Sequence, residues 1–381
     1  MSGGIAIIGA GLIGRILAFE CHLAGFAVSL FDRDTKEGTL SCAYTGAGML
    51  APYTELESSE PIIAALGIES LALWPQLLSK LSNAVFFQRN GTLVLAHPQD
   101  QADLERFRRS VQHRLGSPEW NSFGIQKSNQ AMIGYNRLEL MSLKVQLPTI
   151  FTHGIYLPDE GQIDNKQILD ALRLAIDRNN IDWHTESFVN SLENFDSFDF
   201  IIDCRGLGAQ PDTKELRGVR GELLMVEAPE VNLNLPIRLM HPRHSIYIVP
   251  RQNHRFIIGA TSIESEDMRS ITVQSTLELL SAACTVHPGF AEATIIESKV
   301  NCRPTLLNNL PGIIFDPQSS NIIKVNGLYR HGFLIAPKLA KLVLAFISNR
   351  TIDRHYARLF QPLSFSTNQF MKGDPTFAIS Y

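Results

Sequence analysis

A chain of 381 residues, 45% hydrophobic and 19% charged, is long enough for two domains with sizeable cores and has the balance of a soluble globular protein. Its formal net charge of −4 gives no electrostatic footprint for nucleic acid, and no stretch approaches the roughly 20 apolar residues that cross a bilayer. Cys21, Cys42, Cys204, Cys284 and Cys302 form no CxxC pair, which points to reduced thiols in a cytoplasmic protein rather than a disulfide framework.

The first apolar run, Ile5–Ile8, reads as a strand rather than a cleavable signal, because Gly9-Ala-Gly-Leu-Ile-Gly14 follows it directly. Gly9 permits a tight strand-to-helix turn, Gly11 lets backbone approach a pyrophosphate, and Gly14 lets the helix sit close on the strand. Unpaired amides at the helix start, around Leu12 and Ile13, would face the phosphates. A second apolar run, Ala27–Phe31, ends at Asp32, 18 residues beyond Gly14, followed by Arg33. A carboxylate there accepts from the ribose hydroxyls of an adenine nucleotide and repels a 2′-phosphate, which disfavours NADP. A lone Gly-rich turn would be an ordinary α/β feature; strand, turn, helix, strand and acid together predict a dinucleotide site, FAD or NAD.

Next comes a small-residue segment, Ser41-Cys-Ala-Tyr-Thr-Gly-Ala-Gly-Met49, whose composition suits backbone brought close to a ligand. A helix is expected from about Pro61 to Leu81, strands at Val85–Phe87 and Thr92–Leu95, and a charged helix near Gln101–Leu115. The basic residues of that helix, Arg106, Arg108, Arg109 and Arg114, stand beside Asp103 and Glu105 as a solvated face. Asn165–Ile176 has helical spacing and Phe198–Ile202 reads as a buried strand, repeating the pattern of a parallel sheet. Short β-rich runs from Val219 to Ile258 predict an antiparallel sheet in a second domain inserted into the first. A last strand, Ile322–Val325, precedes a terminal helix from Lys338 to Ile347. The fold class is therefore α/β: a discontinuous Rossmann-like domain over residues 1–82, 150–216 and 304–381, with a mainly antiparallel substrate domain over 83–149 and 217–303.

Three further segments decide the cofactor. The run ending Gly46-Ala-Gly-Met49, the motif Asn301-Cys-Arg-Pro304, and Gly327-Leu-Tyr-Arg-His-Gly-Phe-Leu-Ile-Ala-Pro337 resemble the D-amino-acid oxidase superfamily of FAD enzymes, in particular its glycine oxidase branch tied to thiamine synthesis. Leu157–Asp164, Arg220-Gly-Glu222, Tyr247–Arg251 and Gly259-Ala-Thr261 match in the same order, so the resemblance spans nearly the whole chain. It implies that Arg303 and Arg330 are substrate-side arginines, that Tyr247 lines the carboxylate end of the pocket, and that Met49 lies near the flavin ring. It also implies that Leu328, Tyr329, Arg330, His331, Gly332, Phe333 and Leu334 wrap the flavin. Ala43, Tyr44, Ala47 and Gly48 would approach the pyrophosphate and flavin, and the Val189 backbone the adenosine. Leu328 and His331 stand where relatives often carry His and Asn. No cysteine lies in the flavin-wrapping motif, so noncovalent FAD is expected.

The chemistry agrees with that resemblance. A planar carboxylate suits a guanidinium fork. The flavin carries the redox step, so the protein need only hold the substrate Cα hydrogen over it and favour the neutral amine, with no dedicated general base. The expected activity is oxidation of glycine or another small amino acid to an imine, then a 2-oxo acid and ammonia, with O2 reduced to H2O2. Rival readings are a D-amino-acid dehydrogenase feeding a quinone, a catalytically silent flavoprotein, and an NAD-dependent dehydrogenase. His241 and His244 lack a third ligand at useful spacing, so no metal is expected. Neither a GxSxG elbow nor a Walker A lysine is present. The oligomeric state, a homo-oligomer included, stays open.

Overall fold

The computed structural model describes residues 4–125, 131–143, 145–240, 246–316, 319 and 321–361. His241 and His244 lie outside the described residues. The opening strand, Gly4–Ile8, is buried and lies near the centre of a seven-stranded sheet, flanked by parallel strands Ala27–Phe31 and Phe200–Asp203. Such a strand must be apolar on both faces, as Ile5, Ala6, Ile7 and Ile8 are. Ile322–Asn326 pairs parallel to Phe200–Asp203, and Asp182–His184 closes one edge, so pieces of chain distant in sequence meet in one layer.

The eight-stranded second sheet is antiparallel apart from the parallel pair Ile237–Leu239 and Thr92–Leu95. Its edge is the long ladder between Arg217–Glu227 and Thr294–Thr305. Strand His153–Leu157, within a segment expected on the nucleotide side, pairs with Thr92–Leu95 in this second sheet. A small antiparallel sheet of Met49–Leu50, Gly161–Ile163 and Phe87–Gln88 makes up the third.

Helix Pro61–Leu78 is long and apolar enough to cross a membrane by composition, the only such helix among the described residues. Its Ile62, Ile63, Leu66 and Trp74 are buried in the main core together with Leu334, Ile335 and Leu339 of the last helix. That last helix starts at Gly332, six residues earlier than the expected Lys338, and carries Pro337 inside it. Proline there removes the N–H that would bond the Phe333 carbonyl. The Trp74 indole donates to that carbonyl instead at 3.1 Å, and Ser70 Oγ accepts from Lys338 N at 3.1 Å. Two side chains of the neighbouring helix thus satisfy the turn that proline would break.

Glu160, fully buried, ties the sheets to the short helix Pro52–Glu55 by accepting from Thr54 N at 2.6 Å and Thr54 Oγ1 at 2.8 Å. Burial pushes its carboxyl up to about 7, with the Thr54 bonds opposing. The folded state then holds this proton more tightly than the unfolded chain, where the ordinary value is 4.5. The stability it contributes is therefore fully present below the unfolded value and lost as pH rises through the folded one. Glu160→Gln, which cannot ionise, should gain on the parent protein between pH 4 and 8 by on the order of 3 kcal/mol. Thermal melts across that range check this; a pH-independent difference would contradict it.

Gly14 supplies a second test. A Cβ at this position would collide with the Gly9 carbonyl oxygen, because the first helix crosses the strand end with backbone on backbone. In an exposed helix Gly→Ala gains stability. Here Gly14→Ala should instead cost about 1–3 kcal/mol, read as a lower denaturation midpoint.

Candidate active site

One elongated cavity of about 680 Å³ runs from the end of the first strand to the ladder of the second sheet. Its first end is made of backbone. Gly9 has φ +104°, a value that side chains disfavour, and Gly11 N-caps helix Leu12–Leu23 with no side chain across its amides. Gly9, Gly11, Leu12 and Ile13 line the cavity, and Gly14 packs the helix onto the strand behind them. Asp32, also lining, accepts from Ala10 N and, at 2.7 Å, from Asp34 N. Its carboxylate thus fixes the Gly-rich turn, and burial raises its pKa against those same bonds. Arg33 and Val189 line this end as well; Ser187 N donates to Asp32 O at 2.8 Å, and the Val189 carbonyl accepts from Arg205 at 3.1 Å.

The middle wall is the small-residue segment. Ser41 caps helix Cys42–Thr45, and Asn165 holds the Tyr44 and Ala43 carbonyls at 2.8 and 3.2 Å. At Gly48, φ is +63° and a Cβ would strike the Ile163 carbonyl, so glycine is required. Ala43, Ala47, Gly48 and Met49 line the cavity. Tyr44 does not: its ring lies under Lys299, 4.0 Å from the ammonium, and under Lys166. On the helix Cys42–Thr45 this side chain points away from the cavity toward the lysines, unlike the position expected for it.

At the far end stand Tyr247, Arg303, Arg330, Arg238, Glu55, Glu57 and Ser58. Arg303 lies on the long ladder opposite Val219. Its guanidinium donates only to the Thr261 carbonyl at 3.1 Å and the Arg220 carbonyl at 3.4 Å, and no carboxylate pairs with it among the described residues. A Cβ on Gly221 would fall on that guanidinium, which explains the glycine within Arg220-Gly-Glu222. Burial lowers the Arg303 pKa. Arg220 is engaged elsewhere, with Glu222 at 2.6 Å.

Arg330 is in a different state. Its guanidinium pairs with Glu55 at 2.8 Å and donates to Ser58 Oγ at 2.6 Å, and it lies over the Tyr329 ring. Burial pushes the Glu55 carboxyl up, but Arg330 and His331 outweigh this and hold it well below the usual range. Burial drives the Tyr247 phenol well above its ordinary value, so it stays protonated; Arg238 faces it across the strands and pairs with Glu57.

Leu328, Tyr329, Gly332 and Phe333 line the cavity as expected; His331 and Leu334 do not. His331 is buried behind the wall, its Nε2 2.9 Å from Glu55 and 3.1 Å from Ser59, and Leu334 fills the core against Gly67. His331 ends the tight turn Tyr329–His331 before the last helix, and Leu334 lies on the core face of the helix that begins at Gly332. Glu55, Glu57, Ser58 and Arg238 had no recognisable motif. The one available signal was polarity, in that Pro52-Tyr-Thr-Glu follows directly on a segment already read as ligand-facing.

The cavity suits a long dinucleotide: a side-chain-free helix N-terminus at one end, an acid beside it, and glycines along the wall. Comparison with known proteins agrees. The family model described as FAD dependent oxidoreductase (DAO) matches residues 4–345. The chain is 37% identical to a putative thiamine biosynthesis oxidoreductase ThiO of Rhizobium etli, over 88% of this chain and 94% of that protein. It is 25% identical to a glycine oxidase of Geobacillus kaustophilus, over 91% and 93% of the two chains. The crystal structure of glycine oxidase from that organism superposes with a TM-score of 0.79 at 23% identity, covering 95% and 99%. The open guanidinium, the backbone cradle and these matches lead to one assignment: the chain belongs to the DAO family of FAD-dependent oxidoreductases.

Proposed function

We propose that this enzyme oxidises glycine or another small amino acid to its imine, which hydrolyses to a 2-oxo acid and ammonia. The observation that carries this is Arg303, a half-buried guanidinium bordering the cavity with carbonyl oxygens but, among the described residues, no acid beside it. A guanidinium left without an acid at a cavity wall is free to meet an anion, and a carboxylate matches its fork with two parallel charge-assisted bonds.

Gly9, Gly11, Leu12 and Ile13 would hold the FAD pyrophosphate, Asp32 and Val189 the adenosine side, and Ala43, Ala47, Gly48, Leu328 and Phe333 the ring system. Bound there, FAD supplies two-electron oxidation of the substrate Cα–H bond, with O2 taking the electrons to give H2O2. The protein's own part is orientation. Arg303 anchors the carboxylate, Met49 and Tyr247 border the space beside it, and the protonated phenol adds a neutral donor. Arg330, closed by Glu55, serves as wall rather than anchor.

The relatives suggest where the product goes. The Rhizobium etli protein is named for thiamine biosynthesis, and a bifunctional ThiO/ThiG protein of Trichormus variabilis is 27% identical over 97% of this chain. In that setting the imine feeds thiazole formation before water destroys it.

Two measurements test the reading. Arg303→Ala should retain FAD and lose about 30-fold to several thousandfold in kcat/KM for glycine, with Arg303→Lys in between because it keeps charge without the fork. Parent-level peroxide production by flavin-loaded Arg303→Ala would refute the anchor. We further propose that FAD is held noncovalently, so acid precipitation should leave the yellow colour in the supernatant. Colour in the pellet would implicate Cys42, Cys204 or Cys302, which border the cavity.

A further inference from the structure

The two arginines that the sequence motifs put on the substrate side differ in what holds them in the structure. Both border the cavity. Arg303 meets only two backbone carbonyls, whereas Arg330 has Nε 2.9 Å from Glu55 Oε2, a terminal nitrogen 2.8 Å from the same oxygen, and a bond to Ser58. Glu55 is bound in turn by His331 Nε2 at 2.9 Å, on an imidazole only 2% exposed, so its carboxylate is fixed from behind the wall. Arg238 is matched in the same way by Glu57. Among the described residues, the substrate end thus carries three guanidiniums and two carboxylates, and the cation left over is Arg303.

We propose that Glu55 is a specificity-determining residue: by closing Arg330 into an ion pair it leaves one guanidinium open, and so restricts the site to substrates with a single carboxylate. The proposal rests on the reading of Arg303 as the carboxylate anchor. An amino acid with a second carboxylate, such as an N-carboxymethyl amine, brings a negative charge that must displace Glu55 from Arg330 or stay unpaired beside the Glu55 carboxylate. Both routes cost binding. Removing the Glu55 charge opens Arg330 as a second anchor, while Gln at this position retains an oxygen for His331.

The test uses the FAD-loaded enzyme and two small probes, acetate with one carboxylate and malonate with two, titrated against the visible flavin spectrum without any turnover. Parent protein should favour acetate. Glu55→Gln should move the malonate-to-acetate affinity ratio at least about tenfold toward malonate, the scale of one new charge-assisted contact. Arg330→Met, which strips Glu55 of its cation and leaves a carboxylate facing the cavity, should move the ratio the other way. The double variant Glu55→Gln with Arg330→Met should return near the parent ratio. The kcat/KM ratio of iminodiacetate to glycine should follow the same order.

Opposite signs are the decisive feature, since a clasp that merely stiffens the wall would weaken both probes in both variants. Ratios that stay within about twofold, or move together in Glu55→Gln and Arg330→Met, overturn the proposal. Should Glu55→Gln fail to hold FAD, Arg330→Met alone still decides by the direction of its shift. Acetate binding that survives Arg303→Ala would remove the anchor reading and this proposal with it. Acetate binding lost in Arg303→Ala beside unmoved ratios removes this proposal alone.

Discussion

At the cavity wall the half-buried guanidinium of Arg303 has only carbonyl oxygens beside it among the described residues, and the surrounding strands are built to hold it there. The ladder between Arg217–Glu227 and Thr294–Thr305 fixes its backbone in register over most of both strands. Gly221 clears the volume the guanidinium fills, and the carbonyls of Arg220 and Thr261 aim it. The neighbouring Arg330 and Arg238 differ in that each is supplied with an acid, Glu55 and Glu57.

How far the sequence disclosed this follows from the range of the interactions. Gly9, Gly11, Gly14 and Asp32 were legible because strand, turn and helix impose local geometry, and each residue answers to a need within that unit. The motif put Arg303 ahead of Arg330 as a candidate anchor, but it could not report what either guanidinium touches. For Arg330 that contact is Glu55, 275 positions away in sequence, and no spacing rule reports such a pair. Arg238 and Glu57 were hidden for the same reason. Tyr44, His331 and Leu334 were misplaced by a different failure. A collinear motif says which segment meets a ligand, while the direction of each side chain depends on where the turn or helix begins. The last helix begins at Gly332, which required Trp74 and Ser70 to compensate Pro337, a tertiary rescue that no single segment announces.

The polar wall depends on a helix too short to stand alone. Pro52–Glu55 has four residues, fewer than any isolated helix needs in water. Glu160 supplies what propensity cannot, accepting both the amide and the hydroxyl of Thr54, so that Glu55, the next residue, is presented to Arg330 and His331 at a fixed height. The buried acid and the lining acid therefore act in series, one setting the helix and the other setting the charge.

The two ends of the cavity consequently differ in how they can change. At the nucleotide end the groups that matter are amides, carbonyls and glycines, whose replacement disturbs the crossing of strand and helix itself. At the substrate end they are side-chain ion pairs contributed by separate segments, where one substitution alters the local charge by a unit and leaves the backbone in place.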